Sequence, residues 1–294
     1  MSKLKPYPVY KDSGVEWIGE VPEDWKIMKF KRVFEFHNGN GFPHNYQGNT
    51  IGDVPFLKVS DISFQGKYVN KGTNYVSYEL IDEKKWHIVE SESILTAKIG
   101  EALRKNHRKI SLQPCLIDNN MMALSILNEY NVDFLYYVLL VIDFDWFSNP
   151  GAVPSINNRY LREDFIALPT TIEQKKISLF LEEKTSEIDS LISDKKNLIE
   201  LLEEKRQAII TETVTKGLNP NVKMKDSGIE WIGEIPEHWD TVKLKYIGKP
   251  YMGLLYSPNE ITNKDNGTLV LRASNIQSSR IEIEREDNVY VNKV

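Results

Sequence analysis

Residues 11–33 read KDSGVEWIGEVPEDWKIMKFKRV, and residues 225–247 read KDSGIEWIGEIPEHWDTVKLKYI. The two stretches lie 214 positions apart and agree at 14 of 23 positions. Trp17 matches Trp231 and Trp25 matches Trp239, so four of the chain's 6 Trp fall in the two copies. Trp is too rare for chance to explain that. The offset persists downstream: Phe56-Leu-Lys-Val-Ser-Asp-Ile62 aligns with Val270-Leu-Arg-Ala-Ser-Asn-Ile276, and after one residue of slip Tyr75-Val76 aligns with Tyr290-Val291. A period this long is domain duplication, since solenoid units run about 20–50 residues. The reading is one domain, then a copy of its beginning that stops at Val294. Gly14, Gly19 and Pro22 punctuate the repeat, so it is no helix interior. Packing of a turn against the domain is the plain role for its Trp pair.

Of 294 residues, 41% are hydrophobic and 27% charged, with 14 Tyr and 11 Phe, which suits a folded chain with a sizeable core. The single Cys, Cys115, excludes an intramolecular disulfide and a four-Cys zinc site and fits a reducing cytosol. The longest apolar run, Phe134 to Ile142, is short of the roughly 20 residues a bilayer demands, and the N-terminus lacks a signal-peptide core. A cytoplasmic protein is expected, with no membrane partner. The net charge of −5 argues against a simple basic nucleic-acid binder, so DNA contacts would come from local clusters.

Short β-branched and aromatic runs separated by Gly, Asn, Asp and Pro predict strands at Ile27–Phe36, Pro55–Val59, Tyr68–Val69, Tyr75–Ser77, Ser93–Lys98, Lys109–Leu112 and Met122–Ile126. A helix over Val132–Phe147, capped by Asn131 and ended by Pro150-Gly151, precedes a strand at Asp164–Leu168. Residues 172–215 contain neither Pro nor Gly. Thr171 with Gln174 reads as a capping box, and Gly217 with Pro220 as a stop. Ile177, Leu181, Lys184, Ile188, Leu191, Lys195, Leu198, Leu202, Lys205 and Ile209 form a heptad seam, widened by Ile192 and Ile199. Three Lys on the seam weaken a self-sufficient homodimer, which leaves a helix packed on a different helix and on partner chains, or a long helix lying on its own domain.

The fold class is therefore α+β: a strand-rich domain at residues 1–168, a central coiled-coil-like helix at 169–216, and the start of a second, homologous domain at 217–294. Catalytic motifs are missing. There is no nucleoside-triphosphate loop, and His37, His44, His87, His107 and His238 lack metal-ligand spacing with one another or with Cys115. Gly39-Asn-Gly41 reads as a turn, and Glu83-Lys84-Lys85 as a solvated face. No catalytic or metal site is expected.

Lys11 to Trp25 and its copy Lys225 to Trp239 resemble the specificity (S) subunits of type I restriction-modification systems. So do Leu168-Pro-Thr-Thr-Ile-Glu-Gln-Lys-Lys-Ile177, Lys58-Val-Ser-Asp-Ile62 and the stretch Gly151 to Leu161. The resemblance implies a sequence-specific reader of double-stranded DNA without an active site of its own. In that family two target recognition domains each read half of a bipartite site. Helices between them set the spacer and hold modification (methyltransferase) subunits, which a restriction subunit joins. S-adenosylmethionine, ATP and Mg²⁺ belong to those partners, and none to this chain. Against the family pattern the second domain breaks off and the second helix is missing. The resemblance thus implies a chain truncated within its second recognition domain, completed by a second S chain or left as a fragment. A coiled-coil scaffold that binds only protein is the alternative.

Base reading takes hydrogen-bonding side chains on loops that reach a groove. The candidates are Lys58, Ser60 and Asp61, mirrored by Arg272, Ser274 and Asn275. The cluster Lys98, Arg104, Lys105, Asn106, His107, Arg108 and Lys109 follows, and then Asn157, Asn158 and Arg159. The Lys58/Arg272 match reads equally as a shared structural turn, and the Arg104–Lys109 run as a solvated hairpin tip. Candidate subunit contacts are Ile177, Leu181, Ile188, Leu191, Leu198, Leu202 and Ile209.

Overall fold

A computed structural model describes residues 6–64, 66–149, 153–277 and 280–292. The chain divides into two units, Met1–Asn197 and Leu198–Val294. The first begins with β1 (Tyr10–Asp12), β2 (Glu20–Pro22), β3 (Lys26–Lys29), β4 (Phe34–Asn38) and β5 (Val54–Leu57). It continues with β6 (Tyr68–Val69), β7 (Tyr75–Val76), α1 (Tyr78–Lys84), β8 (Ile94–Ala97), α2 (Glu101–Arg104), β9 (Arg108–Ser111), β10 (Leu116–Ile117) and β11 (Met121–Ile126). Then come α3 (Val132–Val141), α4 (Asn158–Glu163), β12 (Phe165–Leu168) and α5 (Thr171–Lys216), which runs on into the second unit. The architecture is α+β.

A strand buried along its whole length needs cover on both faces, and β5, β8 and β9 are of that kind. A five-stranded sheet of order β4-β11-β8-β9-β6 lies at the centre, antiparallel except for the β6–β9 pair. Side chains alternate across it. Ile94, Met122 and Leu124 join Phe134, Leu135 and Leu139 of α3 in one core. Leu95, Met121 and Ala123 join Leu57, Ile62 and Ile117 in a second core on the other face. The second core is closed by the sheet β10-β5-β7, whose outer residues Val54, Phe56 and Leu116 meet Leu80 and Ile81 of α1 in a third. The order of layers is α3, five strands, three strands, α1.

The expected strand Ile27–Phe36 is broken in two. β3 pairs with β12, but β4 pairs with β11. A 3-10 turn at Phe30–Arg32 carries the chain between sheets and buries Phe30 completely. The expected helix Val132–Phe147 stops at Val141, after Asn131 has capped its start by accepting the Phe134 N–H at 2.8 Å. Asp143 then accepts the Asp145 N–H at 2.9 Å and starts a separate 3-10 turn, a local bond that competes with helix continuation. The expected stop at Pro150-Gly151 lies outside the described residues. The cap is Thr170, one residue earlier than Thr171: its Oγ1 accepts the Glu173 N–H at 3.4 Å. Gln174 is spent differently. It is fully buried, accepts the Asn131 N–H at 2.9 Å and donates to the Pro169 carbonyl at 2.9 Å.

The second unit begins within α5 and then repeats the first by itself. It contains β13 (Met224–Asp226), β14 (Glu234–Pro236), β15 (Ile261–Thr262), β16 (Gly267–Val270), β17 (Ile276–Gln277), β18 (Arg280–Ile281) and β19 (Val289–Asn292). Tyr10↔Pro22, Lys11↔Val21 and Asp12↔Glu20 recur as Met224↔Pro236, Lys225↔Ile235 and Asp226↔Glu234. Asp12 Oδ1 accepts the Gly14 N–H at 2.9 Å, and Asp226 Oδ1 accepts the Gly228 N–H at 2.9 Å. Both glycines hold positive φ, 69° and 72°, where other residues are strained. The duplication is thus conformational as well as textual. The copies differ in burial. Phe30 and Val33 are sealed in the first core, but their counterparts Leu244 and Ile247 are exposed.

Candidate nucleic-acid interface

The strand ends decide which polar residues meet. β4 and β8 finish, and β11 starts, at one end of the central sheet, because Asn38 pairs with Met122 and Ala97 with Met121. The parallel pair β5 and β10 finishes at the same end, where Asp118 bridges Asn40 and donates its N–H to the Leu57 carbonyl at 2.9 Å. Lys58 follows Leu57, Lys98 follows Ala97, and the Lys98 N–H donates to the Asn120 carbonyl at 2.7 Å. A side chain at Gly39 would collide with the Asp118 backbone, so this residue is a close crossing of chains and not merely a turn.

The loop before α4 closes over the same end. The Gly100 N–H donates to the Pro154 carbonyl at 2.8 Å and the Ile156 N–H to the Lys98 carbonyl at 3.0 Å. Asn38 Oδ1 then receives two donors, Lys98 Nζ at 3.3 Å and Asn158 Nδ2 at 3.2 Å. Lys58, Lys98 and Asn158, distant in sequence, thus share one rim. Arg104, Lys105 and Arg159 are exposed, as are Trp146 and Tyr160. Arg104 rests on Glu101 at 3.3 Å and Asp145 at 3.5 Å, both solvent-exposed or half-exposed pairings that a phosphate could replace.

Other expected readers have structural duties. Arg108 is buried at 2% exposure, donates to Thr96 Oγ1 at 3.0 Å, to the Ile142 carbonyl at 3.4 Å and to Asn106 Oδ1, and stacks on Phe144. Burial pushes its guanidinium down to about 9, still charged at neutral pH. Lys109 is buried too, with Nζ on the Gly66 carbonyl beside the Phe64 ring. Both side chains are buried on β9, a strand inside the sheet between β8 and β6. Asn106 takes φ 55° and donates to the Ile142 carbonyl at 3.1 Å. His107 is half-buried; burial, then Lys109, Lys105 and Arg108, holds it below its ordinary pKa.

The Lys58/Arg272 match is a shared turn. Asp61 is buried, with Oδ2 accepting the Lys58 N–H at 2.7 Å and Oδ1 the Thr73 N–H at 3.2 Å. Asn275, also buried, accepts the Arg272 N–H at 2.9 Å and donates to the Glu282 carbonyl at 2.9 Å. Neither side chain is free for a base. Lys58 Nζ rests on Gln47 Oε1 and the Phe42 ring, 4.3 Å from its centroid, while Ser60 is exposed and Ser274 half-buried. Arg272 also pairs with Asp287 at 3.7 Å. Asn157 caps α4 by accepting the Arg159 N–H at 3.0 Å. Sequence reasoning missed Asn38, whose only signal was the Asn-Gly-Asn-Gly run, and the exposed Trp146 and Tyr160.

Helix α5 starts on the first unit: Ile177 packs against the α3 core and Ser178 is buried. Ile177 and the half-buried Leu181 therefore serve their own domain before any partner. From Thr185 to Glu212 every position is exposed, including Ile188, Leu191, Leu198, Leu202 and Ile209. Among the described residues, no group of three or more His, Cys, Asp or Glu could hold a metal ion. No helix among them is long and apolar enough to cross a membrane.

The family model for the type I restriction modification DNA specificity domain matches residues 22–201. The type I restriction enzyme MjaVIII specificity subunit of Methanocaldococcus jannaschii is 26% identical over 265 residues, covering 89% of this chain and 57% of that protein. A protein of the same organism named for the MjaX specificity subunit is 27% identical over 238 residues, covering 77% and 53%. Among solved structures, a chain from a type I R-M system, in work on its assembly and conformational transition, matches with TM-score 0.56 at 17% identity, over 74% of this chain and 50% of that one. The HsdS subunit from Thermoanaerobacter tengcongensis matches with TM-score 0.50 at 18% identity, over 71% and 49%. These likenesses agree on the fold. The chain spans about half the length of the relatives it matches.

Proposed function

The chain belongs to the type I restriction modification DNA specificity family, and from that premise we propose that it is a sequence-specific DNA-reading subunit of a type I restriction-modification complex. The observation that carries this is the rim at one end of the central sheet, where Lys98 and Asn158 meet on Asn38 and Lys58 follows a strand that finishes at the same end, with Arg104, Lys105 and Arg159 exposed. Its cations suit phosphates, and its amides and arginines suit base edges in a groove. Residues 1–168 act as the recognition domain, 169–216 as spacer and docking helix, and 217–294 as the beginning of a second recognition domain.

The exposed stretch of α5 is the docking element. Its Leu and Ile face solvent over about 40 Å at 1.5 Å per residue, which favours burial against another helix or subunit. Modification subunits take that surface and a restriction subunit joins them. Methyl transfer and cleavage, with S-adenosylmethionine, ATP and Mg²⁺, reside in those partners, and this chain contributes selection of the site. The acidic net charge suits such sharing, because partners that clamp the duplex supply phosphate contacts the reader lacks.

The test is selection. Co-express the full chain with modification and restriction subunits from a neighbouring operon, capture the complex on random-sequence duplexes and sequence the retained DNA. A recurrent motif, lost when this chain is omitted, is expected. Retention without sequence enrichment overturns the reading, as does methyl transfer or cleavage by the purified chain alone.

A further inference from the structure

If the chain reads DNA as one half of a bipartite site, the direction in which α5 leaves the recognition domain matters as much as the helix length. Polar ties hold the helix at two places, with Ile177 packed on the α3 core between them. The first is its start, where buried Gln174 ties it to Asn131 and Pro169. The second lies eight residues on, about 12 Å along the axis. There Lys67, with a side chain only 11% exposed, inserts between Asp133 of α3 at 2.7 Å and Glu182 of α5 at 2.5 Å. The rings of Tyr68, Tyr136 and Tyr137 surround the ammonium, with centroids 5.3, 5.6 and 4.9 Å away. Tyr68 donates to Asp133 at 3.1 Å, and Tyr137 donates to Glu182 at 3.3 Å and lies 3.4 Å from Thr185 Oγ1.

Past Thr185 every residue of α5 is exposed until Thr213. Contacts confined to the first turns, Gln174, Ile177 and Ser178, would leave the helix room to swing. Over a lever of about 40 Å, a 5° error displaces the far end by about 3.5 Å, close to the 3.4 Å rise of one base pair. A second anchor 12 Å from the first suppresses that swing. Partial burial makes this anchor stiffer than a surface pair, because three aromatic rings exclude much of the water that would screen it.

We propose that Lys67 is a positioning residue: by bridging Asp133 and Glu182 it sets the angle at which α5 leaves the recognition domain, and so the spacing and phase of the half-site read there. The inference rests on the DNA-reading function proposed above, but the clamp can be tested without DNA. Place spin labels through Asn119→Cys and Ser193→Cys in the full chain; both sites are exposed, and native Cys115 is buried. Measure the distance distribution by pulsed electron resonance in the parent, in Lys67→Met and Glu182→Ala, and in Lys184→Ala, which breaks only surface pairs on the same helix. At least a twofold broadening is expected in the first two variants, parental width in the third, and partial restoration by Lys67→Arg. Glu182→Ala, altered on the more open side of the clamp, covers the case in which Lys67→Met does not fold.

The second arm uses the assembled complex and sites whose spacer is changed by one or two base pairs. The clamp variants should flatten the parental spacer preference several-fold while leaving affinity for an isolated half-site unchanged. Parental label distances in both variants overturn the clamp, whatever the DNA result. Broadened distances with a parent complex indifferent to sequence and spacer uphold the clamp and overturn the DNA reading it serves. Broadened distances with an unflattened preference overturn the link between clamp and spacing.

Discussion

The guanidinium carbon of Arg108 lies 3.8 Å from the centroid of the Phe144 ring. This stack, together with the bonds to Thr96 and Ile142, makes Arg108 part of the wall that joins β9 to the chain after α3. Arg108→Ala removes the stack, opens a cavity and strips buried acceptors of their donor. A loss of about 3 kcal/mol or more is expected in urea unfolding. Arg108→Lys should recover little, because an ammonium lacks the planar fork that stacks and donates at once. Parental stability in Arg108→Ala, with altered DNA selectivity, would return the residue to the reading surface.

The turn that recurs after 214 residues makes a paired expectation. Asp61 and Asn275 serve their turns through one acceptor oxygen each toward the residue three positions back. Asp61→Asn keeps the acceptor toward Lys58 but sets an amide NH2 against the Thr73 N–H, so it should lose only part of what the Ala variant loses, about 1 kcal/mol in urea unfolding. Asp61→Ala leaves the Lys58 and Thr73 N–H groups without their partner and should cost about 1–3 kcal/mol. Equal effects of the two substitutions would show that charge, not the acceptor, matters at this position.

The parts of the fold that were legible are those whose causes are local. The Asp12–Gly19 loop and its copy are closed by bonds two to six residues apart, so similar words made similar loops. The α5 seam was readable because helical periodicity needs no partner to be seen. Layering was not. The run Val54-Pro-Phe-Leu is buried throughout and carries no alternation to say which side faces which sheet. Nor was the sorting of the basic cluster. Arg104, Lys105, Arg108 and Lys109 look alike in sequence, yet the last two enter a central strand while the first two stay outside it. Asn38 acquires its place through Lys98 and Asn158, 60 and 120 residues away.

A pH dependence follows from Glu163, which receives Lys29 at 2.7 Å and Lys31 at 2.5 Å and so joins the end of α4 to β3 and the turn after it. The hydrogen bond from Lys29, then that from Lys31, holds its carboxyl down at about 2, against an ordinary 4.5. A depressed acid stabilises the fold above its unfolded pKa and loses that contribution as pH falls toward the folded value. The window is therefore pH 4.5 to about 2. Unfolding midpoints measured across it should fall more steeply for the parent than for Glu163→Gln. Parallel curves would mean that the two lysines do not hold the carboxylate in solution.

The last expectation separates holding DNA from reading it. Lys58 sits at the rim with its ammonium over Phe42 and on Gln47, an arrangement that places one positive charge without a fixed planar pattern. It suits a phosphate. Arg104 carries a fork, lies exposed on a short helix after the Lys98 strand end, and among the described residues pairs with Glu101 and Asp145. It suits the paired acceptors of guanine. Lys58→Ala should therefore weaken binding of all sequences alike and lower the salt slope by about one. Arg104→Ala should relax discrimination at one base pair by about 1–3 kcal/mol and leave the other positions unchanged. Titrate the assembled complex against a selected site and its single-base variants at two salt concentrations, with Lys105→Ala as a charge-matched neighbour. The two classes part in the shape of the specificity profile, which a mere loss of charge does not alter. If Arg104→Ala shifts every sequence equally, as Lys105→Ala should, Arg104 only grips the backbone, and reading falls to the amides of the rim, Asn158 first.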